Sequence, residues 1–159
     1  MSEKIPCGGL IERKGLSLIE IMGYRWQPGQ SCGILGLYAE AEVPLGYLSI
    51  GHNSDGLRNM AFCIGVDAMH RTQDLLEKIR DTHLPVNVKI TEPVTILTLY
   101  GPHFYERVAL ASEVYGSLCN DGIDALSLGS SVNSISLVVA EADVARTRRS
   151  FRHRFAWPE

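Results

Sequence analysis

The chain has 159 residues, of which 45% are hydrophobic, and a formal net charge of −3. This length allows one ordinary domain or two small ones, and the composition excludes a largely disordered chain. The small charge gives no argument for a nucleic-acid partner, and no apolar run approaches the ~20 residues that span a bilayer.

The opening MSEKIPCGGL lacks the apolar core of a secretory signal, so a cytoplasmic protein is expected. Residues 1–7 read as a loose end and 8–13 as a short strand stopped by Lys14-Gly15. Residues 16–24 alternate, with apolar groups on both faces, as an interior strand does. Trp26 to Ser31 is a turn-rich loop, and Ser31 is placed to cap a helix starting at Cys32. Ile34, Leu35, Tyr38 and Ala41 give that helix its apolar stripe, Gly33 and Gly36 allow a close neighbour, and Pro44 closes it.

Residues 45–50 and 57–66 read as a hairpin around Asp55-Gly56. Asp67 is expected to cap a helix that buries Met69, Leu75, Leu76 and Ile79 and ends at Thr82 to Pro85. Residues 86–90 alternate as a strand with Val86, Val88 and Ile90 inward, and Thr91-Glu92-Pro93 is a short break. Residues 94–100 form the next strand, followed by the Gly101-Pro102-His103 loop. Val108, Leu110, Ala111, Val114, Tyr115 and Leu118 mark a helix that stops at Asn120-Asp121-Gly122. A second hairpin spans 124–130 and 133–140, and a last helix spans 143–155 with Val144, Phe151 and Phe155 apolar.

These elements fall into two copies of strand, helix, strand, strand, helix, starting roughly 75–80 residues apart. The chain is therefore divided into 1–15, an N-terminal segment, then 16–92 and 93–159, two units without a flexible linker that are expected to pack on each other. The second unit lacks a last strand. An open sheet edge invites pairing, and the strand at 8–13 is available to fill it. The expected class is α+β, with the βαββαβ order of ferredoxin-like folds.

No catalytic constellation is evident. Cys7, Cys32, Cys63 and Cys119 are scattered singly, without C-x-x-C, so neither a disulfide framework nor a zinc site is expected. Cys63 and Cys119 read as small core residues. The histidines do not group as metal ligands, and Ser130-Ser131 lacks the nucleophile elbow. No cofactor is implied, and the protein is read as a non-enzyme. Arg146, Arg148, Arg149, Arg152 and Arg154 make the last helix basic, but the strands lack the stacking aromatics of RNA binders. A solvated face paired with Glu141 and Asp143 is the expectation.

The stretch GSSVNSISLVV, from Gly129 to Val139, resembles the Q-G-S-S-E-x-x-I-S-x-V-V strand of the ACT domains in aspartate kinases. Asp143-Val144-Ala145, and Gly9 to Lys14 as an entering strand, are similar to the same family's tandem C-terminal ACT pair. The resemblance covers nearly all of the chain. It implies a regulatory protein without a kinase domain that binds a small molecule, such as an amino acid, and signals as a homodimer, with a further protein partner possible and neither nucleic acid nor membrane involved. A scaffold module with no ligand is the alternative.

The resemblance also implies the site. Ligands of the family lie between the loop after the first strand and a neighbouring second strand. Helix N-termini there suit a carboxylate, and glycines allow close approach. In the first unit this selects Trp26, Gln27, Pro28, Gly29 and Gln30, with Tyr47 and Leu48. In the second it selects Gly101, His103, Phe104 and Tyr105, with Asp124 and Ala125. Trp26 and His103-Phe104-Tyr105 are bulkier than the family's usual residues, and could instead plug an interface between units.

Overall fold

The computed structural model describes residues 3–28, 31–102 and 104–158, with only the backbone of Ser31 and Cys32. The chain divides into two compact units. The first is Gly15–Pro93, and the second combines Met1–Lys14 with Val94–Glu159.

Two strands belong to both. Strand β2, Gly9–Tyr24, follows a two-residue strand β1, Ile5–Pro6. The expected stop at Lys14-Gly15 does not occur, because Gly15 takes a φ of +70° within a continuous strand. Likewise β5, Asn87–Tyr100, runs without the expected break at Thr91 to Pro93. Pro lacks a donor but not an acceptor, and the Glu92-Pro93 bond is cis.

In the first unit, β2 is followed by helix α1, Ser31–Glu40, then strands β3, Tyr47–His52, and β4, Arg58–Gly65. Helix α2, Met69–His83, leads into β5. The strand order is β3-β4-β2-β5. Both helices cover one core, in which Ile19, Ile21, Tyr24, Ile34, Tyr38, Phe62, Leu76 and Ile79 are buried. Each such side chain contributes roughly 1.5–3 kcal/mol by leaving water.

In the second unit, β5 is followed by helix α3, Leu110–Asn120, strands β6, Ser127–Ser130, and β7, Ser134–Ala140, and helix α4, Val144–Arg154. A two-residue strand β8, Phe155–Ala156, pairs in parallel with β1. The strand order β2-β5-β7-β6 repeats that of the first unit, with β2 in the outer place. Leu97, Leu99, Phe104, Val114, Leu118, Leu137 and Phe151 form its core. The N-terminal segment is tied down at several points. Cys7 N–H donates to the Ala156 carbonyl at 2.8 Å, Gly8 N–H to the Tyr100 carbonyl at 2.7 Å, and Arg148 forms an ion pair with Glu12.

Several local expectations fail for physical reasons. Asp67 does not cap α2, since a 3-10 turn at Val66–Ala68 intervenes and Ala68 takes the cap position. The same turn, Glu141–Asp143, precedes α4. Gly33 does admit a neighbour, as a Cβ there would lie 3.3 Å from His83 Nε2, but Gly36 faces open space. Val86 and Ile90 are exposed rather than inward, at 78% and 38%. Val108 precedes α3 and is 95% exposed, and Tyr115 is half in solvent. Cys119 is exposed, whereas Cys63 is buried. Of the α4 arginines, Arg146 pairs with Asp143 as expected, but Arg148 reaches Glu12 and Arg154 reaches Glu113, so this face ties elements together.

Candidate functional site

The loop after β2 begins at the sheet end where Tyr24 lies opposite Arg58. The Arg58 guanidinium sits 5.1 Å from the centre of the Trp26 ring, a cation–π stack that holds the half-exposed indole over β4. Gln27 and Pro28 are exposed, and Gly29 and Gln30 lie outside the described residues. Beneath the loop, Tyr24 is fully buried and meets the His83 ring edge-on at 6.3 Å. Burial raises the Tyr24 hydroxyl above its ordinary pKa, with Arg58 opposing, and no described group hydrogen-bonds it. Burial likewise pushes the Tyr38 hydroxyl well up, with Thr72 opposing.

Tyr47 and Leu48 are at the far end of the same sheet. Tyr47 lies opposite Cys63 and Leu48 opposite Phe62, whereas Arg58 lies opposite His52. Tyr47 is five and Leu48 four residues of strand, at about 3.3 Å each, from the Trp26 end. Among the described residues of the first unit, Trp26, Gln27 and Pro28 are not brought together with these strand residues.

The second unit shows the same separation. Gly101 follows Tyr100, which lies opposite Ser134, and Gly101 N–H donates to the Asn133 carbonyl at 3.0 Å. Asp124 and Ala125 precede β6, on the side where Leu126 N–H meets the Val138 carbonyl. His103 lies outside the described residues. Phe104 does not face a ligand, being 3% exposed and part of the core. A Cβ on Gly101 would collide with the Phe104 ring, so glycine is required there for packing. Tyr105 is 64% exposed and hydrogen-bonds Glu106, which raises the phenol pKa.

Two cavities adjoin this loop. One, of about 180 Å³, lies between Tyr105, Leu110, Ser131 and Ile135. The other, of about 650 Å³, is lined by Pro6, Cys7, Gly8, Pro102, Glu106 and Arg107. Arg107 lines both. Arg58, Arg107 and the Pro6 to Gly8 segment were not singled out from the sequence. An arginine has no sequence signature of its own, although Arg107 directly follows the loop that was selected. Among the described residues, no three of His, Cys, Asp and Glu gather as metal ligands, and no helix is long and apolar enough to cross a membrane.

This mixed fold, with four α-helices among the described residues and paired strands in two like units, is that of the regulatory part of aspartate kinases. No family profile and no curated protein matches the sequence. Among solved structures, the chain is similar to the regulatory subunit of aspartate kinase from Thermus flavus, with a TM-score of 0.85 at 15% identity, covering 94% of this chain and 99% of that one. The ligand-free regulatory subunit of the Thermus thermophilus enzyme gives a TM-score of 0.83 at 15% identity, with the same coverage. Aspartokinase III of E. coli, in complex with lysine and aspartate, gives 0.70 at 17% identity over 98% of this chain but only 35% of its own. At these identities the likeness is one of fold.

Proposed function

We propose that the protein is a tandem pair of ACT units, each ferredoxin-like, that binds an amino acid and passes the signal on through a homodimer, without catalysis of its own. The main support is that the likeness spans nearly the whole chain and nearly the whole of two solved regulatory subunits. The strand order, identical in both units, is the one a βαββαβ unit needs when β2 supplies the second unit's last strand. The boundaries 1–15, 16–92 and 93–159 follow from this reading.

Ligand would act by binding one arrangement of the protein better than another, which is the only way binding shifts an equilibrium. In the first unit, Arg58 and the loop at Trp26 would hold one end of the ligand. Tyr47 and Leu48, at the other end of the sheet, would serve a loop from another copy of the chain. The protein works in solution in the cytoplasm on this reading, and contacts neither membrane nor nucleic acid.

A thermal-shift screen against the twenty amino acids, with sedimentation to measure the oligomer, tests this. Stabilisation by one or a few of them, with a dimer, is expected. A dimer that none of them stabilises would instead mark a scaffold module.

A further inference from the structure

We propose that residues 3–14 are an exchangeable strand, and that in the homodimer each copy of the chain gives this segment to the second unit of the other. This rests on the homodimer part of the reading above and says which segment the copies share.

The segment belongs to one unit by its contacts and to the other by its next residue. Met1–Lys14 groups with Val94–Glu159, whereas Gly15 begins the first unit. Its ties run to the second unit. Cys7 and Gly8 N–H donate to the Ala156 and Tyr100 carbonyls, and β1 pairs with β8. Lys4 Nζ donates to the Arg152 carbonyl at 2.7 Å, Arg154 Nη1 donates to the Glu3 carbonyl at 3.3 Å, and Glu12 pairs with Arg148. Ile5 and Leu10 pack on the second unit's core. The same segment of a second copy can make each of these contacts, so exchange gives up none of them.

The joint is a single glycine. Strand β2 passes from Lys14 into the first unit without a loop. Gly15 sits there at φ +70°, with nothing within 4 Å of the place a Cβ would take. Glycine changes its torsions at little steric cost, and a short hinge invites exchange between copies.

The groove left by the segment fits another copy of it. With residues 9–14 withdrawn, the second unit keeps β5, β7 and β6 and shows an open β5 edge, which must be paired or covered. Tyr100 on that edge admits only backbone at two places, since a Cβ on Gly8 or Gly9 would lie 2.7 or 2.8 Å from it. Arg148 of α4 stands where Glu12 arrives. Two adjacent glycines and a following carboxylate are what this chain's own segment supplies.

Glu12→Arg and Arg148→Glu, made in separate chains, test the exchange. One variant is labelled with ¹⁵N, and the two are refolded together from urea and weighed as intact dimers by native mass spectrometry. Each variant alone sets like charges together. A mixed dimer with exchanged segments sets opposite charges together at both places, so it should exceed its random proportion to the homodimers by ~5-fold or more. The double variant Glu12→Arg/Arg148→Glu carries a matched pair in one chain, so it should fold as the unmodified chain does by circular dichroism and should avoid mixed dimers with it. If both mixtures form dimers at random, each segment stays with its own chain and the exchange is overturned, while the homodimer reading stands. If the unmodified chain sediments as a monomer even at ~1 mM, where association rivals closure within one chain, the exchange and the homodimer fall together.

Discussion

Arg154, in the last turn of α4, grips Glu113 of α3 with two hydrogen bonds, Nε to Oε2 at 2.5 Å and Nη2 to Oε1 at 2.7 Å. The hydrogen bonds from Arg154 hold the Glu113 carboxyl below its ordinary pKa, and the same pair raises that of Arg154. Because the folded-state pKa of Glu113 lies below its unfolded value, the pair stabilises the fold at neutral pH. That contribution fades as pH falls from about 4.5 through the folded value. Glu113→Gln should therefore lower Tm at pH 7, and the deficit should shrink as pH falls below about 4.5. A deficit that stays constant as the protein is taken from pH 7 down to its acid unfolding, while that of Arg154→Gln shrinks, would show that the ion pair is not its source. The side chains are partly in solvent, so the effect should be small and should shrink in high salt.

The two units end their first helices in the same way but with different residues. After α3, Ile123 N–H donates to the Leu118 carbonyl at 3.0 Å and Gly122 adopts φ +62°. After α1, Val43 N–H donates to the Tyr38 carbonyl at 3.0 Å, but the left-handed position is Glu42, with φ +53°. Glycine takes this conformation without strain, whereas other residues lose about 1 kcal/mol. Glu42→Gly should stabilise the protein by ~0.5–1 kcal/mol, and Gly122→Ala should destabilise it by about 1 kcal/mol. Urea unfolding of the two variants checks both signs, and the same sign for both would refute the argument.

Phe151 and Phe155 are almost fully buried and meet edge-on, with ring centres 5.8 Å apart. Truncating Phe151 to Ala removes both its burial and that contact. The expected loss is about 3–5 kcal/mol, read from denaturant unfolding. A loss below about 1 kcal/mol would mean that the α4 core collapses around the gap.

The thiols should separate by burial. Cys119 is exposed, and Cys7 and Cys63 are buried. In a Cys32→Ser background, Ellman's reagent should modify one thiol rapidly in the native protein and the other two only slowly. Adding Cys119→Ser should abolish the fast phase. Burial raises the Cys7 pKa, so Cys7 remains slow even at pH 8, when an ordinary thiol begins to ionise.

The helices and hairpins were legible because their signals are local. Leu75, Leu76 and Ile79 recur at helical spacing and are buried as expected, and Asp55-Gly56 turns the first hairpin. The errors came where a neighbour decides. Gly15 permits a turn and Pro93 suggests a break, yet β2 and β5 run straight through both. Tyr115 and Val108 fit an apolar stripe but are exposed, Tyr115 because only one side of α3 is buried and Val108 because it precedes the helix. The candidate site was legible only in part. Trp26 and Tyr105 are accessible, while Phe104 belongs to the core.

The sequence by itself determined the order of elements, the near repeat of strand, helix, strand, strand and helix, and the absence of any motif for catalysis. These follow from spacing and composition, which are properties of short stretches. Only the tertiary structure decided that Arg58 stacks on Trp26, that Arg154 clasps Glu113 forty-one positions away, and that Cys7 and Arg107 line one cleft. Those contacts depend on register and on which strand lies beside which, and neither is written in any single segment.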